Sequence, residues 1–280
     1  MISEFSLKIL YSGKHLVSNN NSLFLYHIKN ELGNFAYLSV HSIFETKTMK
    51  GKLYLIPTIL SEEALHVIPA YIHEITKTIK IFFAENEKTT RRYLRKTGYT
   101  ASFDDIPVYP LNVNTEYSEI SGYIQYLKDG NDCALMSESG VPAVADPGSS
   151  LVKLCHQHDI QVVPLVGPSS ILLALMASGL NGQKFLFNGY IAVKQPARNT
   201  QIKKMETEAR SGITQIFIET PYRNNGLLQD VFNNCNDATQ LCIARDLTGS
   251  NEKIKTKSIG EWKKDPPQME KVPTIFLLGS

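Results

Sequence analysis

Three carboxylates end β-rich runs of this chain: Glu85 after IKIFFA, Glu138 after DCALMS and Glu219 within TQIFIET. Acids at strand ends can serve as general bases in a cleft, or they are simply solvated or salt-bridged. A second group is cationic. Lys88, Arg91, Arg92 and Arg95, with Lys96, crowd the segment NEKTTRRYLRK. Arg91 and Arg95 stand four apart, so on a helix they share a face and could clamp adjacent phosphates; the alternative is a solvated face. Arg223 and Arg245 are further candidates of the same kind. A third group is small residues. The loop SESGVPAVADPG holds Gly140, where backbone can approach a ligand closely. Ser169 and Ser170 open an apolar helix whose first amides need either a capping hydroxyl or an anion.

These residues sit on a regular frame. From Met49 the chain alternates strands and helices, the pattern of an α/β protein. Strand Lys52–Ile56 is followed by a helix after Ser61 with Glu62 and Glu63 in its first turn, then strand Ile79–Ala84 and a basic helix Asn86–Lys96 stopped by Gly98. Helix Ser118–Lys128, strand Asp132–Ser137, helix Ser149–His158 and strand Gln161–Val166 lead to the stop Gly167-Pro168, taken as a domain boundary. Beyond it come the helix SSILLALMASG, strand KFLFNGYI, helix Ala197–Arg210, strand TQIFIET, helix Tyr222–Asn233, and strands TQLCIARD, KIKTKSI and TIFLLG. Ligands of open α/β sheets bind at strand carboxyl ends. That directs attention to Pro57-Thr58, Ser137–Pro142, Gly167–Ser170, Glu219–Tyr222 and Ala244–Asp246.

The first 48 residues read differently, with the run SNNNS, scattered aromatics and no sustained strand or helix period. They are expected to be an appendage, disordered or not native, with Met49 as a candidate internal start; an ordered arm is the alternative. The remainder divides into α/β halves 49–166 and 167–280.

Other chemistries lack their signatures. GxGxxG and GxxxxGK(S/T) are absent, which argues against a simple dehydrogenase or NTPase, and GxSxG and HExxH are missing too. Cys133, Cys155, Cys235 and Cys242 form no CxxC pair and suit buried, reduced thiols, so neither a metal site nor a disulfide frame is expected. With 29 Lys+Arg against 27 Asp+Glu, 42% apolar and 20% charged residues, the chain reads as globular, and only a uniformly basic surface is ruled out. No apolar run reaches the roughly 18 residues of a membrane span, and no basic segment precedes an apolar one at the N-terminus. No membrane partner and a cytoplasmic location are expected.

The segments SESGVPAVADPG, VVPLVGPSSILLALMASGL and AENEKTTRRYLRKTG resemble the tetrapyrrole methylase superfamily. More narrowly, they are similar to the branch that methylates a cytidine ribose 2'-hydroxyl of small-subunit ribosomal RNA with S-adenosylmethionine. GKLYLIPTIL stands where members read GTLYVVPTPIGN, AENEK where they read AEDTR, and SESGVP where they read SDAGTP. FNGY, IFIETPYR, IARDLT and PTIFLLG follow in order, so nearly everything after Met49 is covered. Any one of these segments is common loop chemistry; the series in register is specific. Three departures stand out: Ile59-Leu60-Ser61 replaces Ile-Gly-Asn, Asn86 replaces an Asp and Lys88 an Arg.

The resemblance implies two α/β domains with the cofactor in the cleft between them, and a homodimer. It places S-adenosyl-L-methionine against Ser139, Gly140, Val141, Ser169, Ser170, Ile218, Ala244, Pro273 and Thr274. Lys88, Arg91, Arg92 and Arg95 become the RNA-binding candidates. A ribose hydroxyl is a poor nucleophile near neutral pH, so a base helps. Glu85 is the first candidate for it, with Glu138 and Glu219 as alternatives. Two other functions fit the same residues. One is a methyltransferase of a tetrapyrrole or another small molecule; the other is a non-catalytic RNA-binding or assembly factor that has lost its donor loop at Ile59–Ser61.

Overall fold

The computed structural model describes residues 23–29, 35–41, 49–102, 106–269 and 271–280. The chain divides into two compact units, Met1–Thr48 and Met49–Ser280. In the first, β1 (Leu23–Lys29) and β2 (Phe35–His41) pair antiparallel, with Leu23 opposite His41 and Lys29 opposite Phe35. The pair forms although the sequence shows no sustained strand period there. LFLYHIK and FAYLSVH are rich in the aromatic and branched residues that favour strands, although neither alternates in polarity.

The second unit is built on two five-stranded sheets. The first holds β3 (Leu53–Ile56), β4 (Ile81–Ala84), β5 (Val108–Pro110), β6 (Cys133–Met136) and β7 (Val162–Pro164) in the order β5-β4-β6-β3-β7, every pair parallel. Helices α1 (Ala70–Thr78) and α2 (Glu87–Lys96) cover one face; α3 (Tyr117–Lys128) and α4 (Ser149–Gln157) cover the other. A strand buried on both faces reads as continuous apolar text, and CALM shows why. Cys133 and Leu135 point to the α3/α4 side, Ala134 and Met136 to the α1/α2 side.

The second sheet is mixed, in the order β11-β10-β12-β9-β8. It comprises β8 (Phe185–Tyr190), β9 (Thr214–Ile218), β10 (Gln240–Arg245), β11 (Lys253–Ser258) and β12 (Thr274–Gly279). Only β8 and β9 run parallel; β9–β12, β12–β10 and β10–β11 are antiparallel. Helix α5 (Ser170–Ser178) packs on one face, and α6 (Ala197–Arg210), α7 (Asn224–Asn234) and α8 (Ile259–Lys264) on the other. Along β12 the same parity holds, Ile275 and Leu277 facing α5 while Phe276 and Leu278 face α6–α8.

Several boundaries differ from expectation for local reasons. The first helix begins at Ala70, not after Ser61, because Ser61–Ala64 closes a turn, Leu65–Val67 is a single 3-10 turn, and Pro69 sets the start. Helix α7 starts at Asn224, after a 3-10 turn Pro221–Arg223. Strand β5 escapes a period-based reading because it has three residues and ends in Pro110. Helix α8 escapes it because it spans only six residues; its capping box pairs Ser258 with Glu261. All four cysteines are buried and free. Among the described residues no helix is long and apolar enough to cross a membrane.

Candidate active site

In the first sheet β6, β3 and β7 are neighbours, and the loops at their carboxyl ends lock together. Thr58 donates its N–H to the Gly140 carbonyl at 2.8 Å, and the Ser139 hydroxyl reaches the Ile59 carbonyl at 3.4 Å. Gly167 lies so close to Pro57 that a Cβ there would sit 2.1 Å from the Pro57 Cβ. Gly140 has φ +79°, and its missing Cβ would stand 3.1 Å from Leu60 Cδ2 and 3.2 Å from the Pro168 carbonyl oxygen. Ala143 and Ala145 also take positive φ, of 64° and 63°. Non-glycine residues held there store strain of the sort that gathers at ligand sites.

Opposite these loops lie the ends of β9, β10 and the start of β12. Between the two sets is a cavity of about 310 Å³ walled by Ile218, Glu219, Thr220, Pro221, Ala244, Asp246, Leu247 and Pro273–Ile275, together with Leu60, Ser139, Ser170 and Tyr190. A neighbouring cavity of about 150 Å³ has Gly140, Val141, Val144–Asp146, Ser169–Ile171 and Phe187 in its wall. Leu60, Ser139, Ser170, Tyr190, Ile218 and Ile275 line both, so the two adjoin. Ser139, Gly140, Val141, Ser169, Ser170, Ile218, Ala244, Pro273 and Thr274 thus all come to one place. Ser169 stands at the N-cap of α5, yet its hydroxyl makes no capping bond, which leaves first-turn amides for another acceptor. Wall residues outside the donor assignment made from sequence include Leu60, Tyr190, Asp146 and Leu247, while Asp246 ends the Ala244–Asp246 loop singled out there. Asp146 belongs to the Asp-Pro-Gly turn and is visible there; Leu60 reads from sequence only as a departure.

S-Adenosylmethionine fits this cleft. The volume falls in the range of small-molecule sites. Backbone at Gly140 approaches where a Cβ would intrude, and the uncapped start of α5 suits a carboxylate.

Beside the cleft stands a group of acids. Glu85 accepts the Glu138 N–H at 3.3 Å, and Thr89 donates to Glu138 at 3.4 Å. Burial, and secondarily the Glu138 charge, push the Glu85 carboxyl up against the pull of that backbone N–H. Asp146 is pushed up to about 6 by burial and by the charges of Glu85 and Glu138, with a Ser137 hydrogen bond opposing. Asp146 lines the 150 Å³ cavity, whereas Glu85 is not among the wall residues of either cavity. Among the described residues no group of three such side chains is arranged to hold a metal ion.

Glu219 differs in kind. It is 4% exposed. Its Oε1 accepts from Arg223 Nη2 at 2.6 Å and from the Thr220 N–H at 2.7 Å, while Oε2 is buried without a partner. Burial works to raise its pKa, but the Arg223 and Thr220 hydrogen bonds and the charges of Arg223 and Arg198 outweigh it and hold the carboxyl low. It stays ionised and is a poor proton acceptor.

The basic helix α2 is capped by Asn86, whose side chain accepts from the Lys88 and Thr89 amides at 3.0 and 3.3 Å, so the Asp-to-Asn departure keeps the cap. Arg91, Arg92, Arg95 and Lys96 are engaged. Arg91 pairs with Glu87 at 2.6 Å, Arg92 and Lys96 both pair with Glu62 at 2.7 Å, and Arg95 donates to the Tyr99 carbonyl at 2.9 Å. Arg92 and Lys96, with Thr89 and Tyr93, line a polar cavity of about 110 Å³ that shares Leu60 and Ser139 with the main cleft. Lys88, Arg91 and Arg95 lie outside that lining, and Lys88 is exposed.

Residues 64–263 match the family model of Tetrapyrrole (Corrin/Porphyrin) Methylases, and the chain belongs to that family. More narrowly, it is 31% identical over 231 residues to the ribosomal RNA small subunit methyltransferase I of Buchnera aphidicola subsp. Acyrthosiphon pisum, an alignment spanning 81% of this chain and 78% of that one. The protein of the same name from Escherichia coli O157:H7 is 29% identical over 232 residues, 82% of this chain and 78% of the relative. Among solved structures, the methyltransferase CobJ superposes with a TM-score of 0.56 at 16% identity, covering 82% of this chain and 94% of its own, a likeness of fold.

Proposed function

We propose that this protein is an S-adenosylmethionine-dependent methyltransferase that 2'-O-methylates a cytidine ribose in small-subunit ribosomal RNA. The observation that supports it most is the meeting of small, backbone-exposing loops from the parallel sheet with apolar strand ends from the mixed sheet around one cleft. Its relatives named ribosomal RNA small subunit methyltransferase I point to the acceptor.

When bound, S-adenosylmethionine supplies a methyl group activated on a positively charged sulfur. Ser139–Val141 and the α5 start would hold its polar end, and Ile218, Ala244, Pro273 and Thr274 its flat nucleoside. The loops then fix the line of approach and keep water out. The acceptor hydroxyl must give up a proton, and the acids beside the cleft are the groups to take it. Glu85 carries a raised pKa at the end of β4; Asp146, raised to about 6, is the member on the cavity wall. We assign the base to this pair, with Asp146, on the cavity wall, the member that would meet the acceptor hydroxyl. RNA would lie across α2, with Lys88, Arg91, Arg92 and Arg95 meeting phosphates.

Around this centre we keep residues 1–48 as an appendage and 49–166 and 167–280 as the two halves, and infer a cytoplasmic homodimer. Exposed Leu172 and Met176 on α5, and Phe185 and Leu186 on the edge strand β8, are surfaces a second copy would cover. Light scattering at micromolar concentration checks the dimer.

The deciding experiment incubates the protein with methyl-labelled S-adenosylmethionine and small ribosomal subunits lacking the modification. Label recovered in 2'-O-methylcytidine after nuclease digestion is the expected result. Label reaching only a tetrapyrrole would move the acceptor to small molecules, and subunit binding without any label would make this an assembly factor.

A further inference from the structure

At the mouth of the cleft, the segment after β9 makes a single 3-10 turn, Pro221–Arg223. Thr220 and Pro221 form part of the cavity wall, so the turn is fixed to the site. Its next two residues face outward. Tyr222 is 80% exposed, an unusual position for a large ring, and Lys271 Nζ stands 5.2 Å from its centroid. Arg223 is gripped through its guanidinium Nη2 by Glu219, a side chain wholly out of contact with solvent; its Nε is buried, and its side chain as a whole remains 41% exposed. Tyr190, on the walls of both cavities, is 61% exposed.

A buried acid gripping a half-exposed arginine differs from the surface pairs of α2. Glu219 makes its second bond to the backbone of Thr220, so it sets the turn as well as the guanidinium. Exposed aromatic rings next to cations form the platform that single-stranded nucleic acid uses, bases stacking on rings and phosphates meeting the charges. A small-molecule acceptor would need no ring outside the cavity.

We propose that Tyr222 is a stacking platform for a nucleobase of the RNA acceptor at the mouth of the donor cleft, with Arg223 and Lys271 binding its phosphates. This rests on the reading of the acceptor as RNA. Glu219 is the positioning residue that holds the turn.

The test uses the full chain and a fluorescein-labelled single-stranded RNA dodecamer containing cytidine, with anisotropy as the readout. Tyr222→Leu, which keeps bulk without the ring, is expected to weaken binding about 10-fold, and Tyr222→Phe to leave it within about 2-fold. Lys271→Ala is expected to flatten the slope of log K against log salt by about 0.7, one single-strand phosphate contact. Calorimetric affinity for S-adenosylmethionine should be unchanged in all three. Equal RNA binding by wild type and Tyr222→Leu overturns the platform while leaving the acceptor reading intact. A wild type that binds S-adenosylmethionine but neither the dodecamer nor ribosomal subunits overturns that reading, and the platform with it. A Tyr222→Leu variant that loses both ligands would show a structural role instead, and would also count against the proposal.

Discussion

The two sheets end at one cleft but furnish it differently. The all-parallel sheet supplies strained or glycine-bearing loops and acids whose pKa values are raised, Glu85 and Asp146. The mixed sheet supplies Ile218, Ala244, Leu247 and Ile275; of the acids it adds, Glu219 and Asp246, Glu219 is buried and held ionised by Arg223. Parallel strands explain part of this contrast, because all five finish on the same edge and can gather their following loops there. Antiparallel strands send only alternate ends to that edge. The mixed sheet therefore meets the cleft through strand ends, with fewer loops to adjust. One wall carries the acids whose pKa values are raised; the other is furnished largely by apolar side chains at strand ends.

The sharpest way to break the first wall is at Gly140. Its φ of +79° disfavours any side chain, and a Cβ there would already press on Leu60 and Pro168. Gly140→Trp should abolish S-adenosylmethionine binding in calorimetry, a loss of about 1,000-fold or more, some 4 kcal/mol. Binding at wild-type strength in the folded variant would mean that the donor does not enter between these loops.

Asp146→Asn comes next and separates shape from titration. As the proposed base, its loss should lower the methyl-transfer rate about 100-fold while donor affinity stays within about 2-fold. The folded pKa of about 6 lies above the ordinary value of 3.8, so ionisation is disfavoured in the native state. Stability from this group is fully present below about pH 4 and is lost as pH rises through 6. The amide that replaces the carboxyl cannot ionise, so the variant should match wild type in unfolding free energy at pH 4 and exceed it at pH 8, by up to about 3 kcal/mol. A rate that stays at the wild-type level across this pH range would return the base to Glu85.

On the opposite wall the effect should be smaller and pH-independent. Ile218→Ala removes apolar contact without touching a charge or a strained residue. A loss of about 10-fold in donor affinity at both pH 6 and pH 8 is expected, corresponding to about 1.4 kcal/mol of lost burial. A pH-dependent loss would show that the walls are not as separate as their composition suggests.

Sequence text reveals these two walls unequally. Continuous apolar runs such as IFFA and CALM announce buried parallel strands, and the loops SESGVP after CALM and GPSS after VVPLV are readable because each follows a strand end. All nine proposed donor residues line the adjoining cavities. What stays hidden depends on distant partners. Asp246 and Thr248 take positive φ of 49° and 66°, which no side-chain type announces. Glu219 looks like Glu85 and Glu138, an acid at a strand end, until Arg223 four residues on sets its charge state. The run RRYLRK promises free cations; Glu62, some 30 residues earlier, takes two of them.

That last pairing gives the mildest test. Glu62 sits in the loop where the chain departs from the family pattern, and it bonds Arg92 and Lys96 at 2.7 Å each. The Lys96 hydrogen bond and the charges of Lys96 and Arg92 outweigh desolvation and hold its carboxyl low, so it competes with phosphate at neutral pH. Exposed pairs of this kind contribute little to stability, so Glu62→Gln should leave the melting temperature nearly unchanged. With the competing charge gone, RNA should bind about 3-fold tighter at low salt, with a steeper salt slope as two cations become available to phosphate. Arg223 offers the contrast, since Glu219 also shapes the cavity wall and cannot be neutralised without moving the turn. Unchanged affinity and slope in Glu62→Gln would mean that RNA does not lie along α2, and the Tyr222 turn on the mixed-sheet side would then be the main contact.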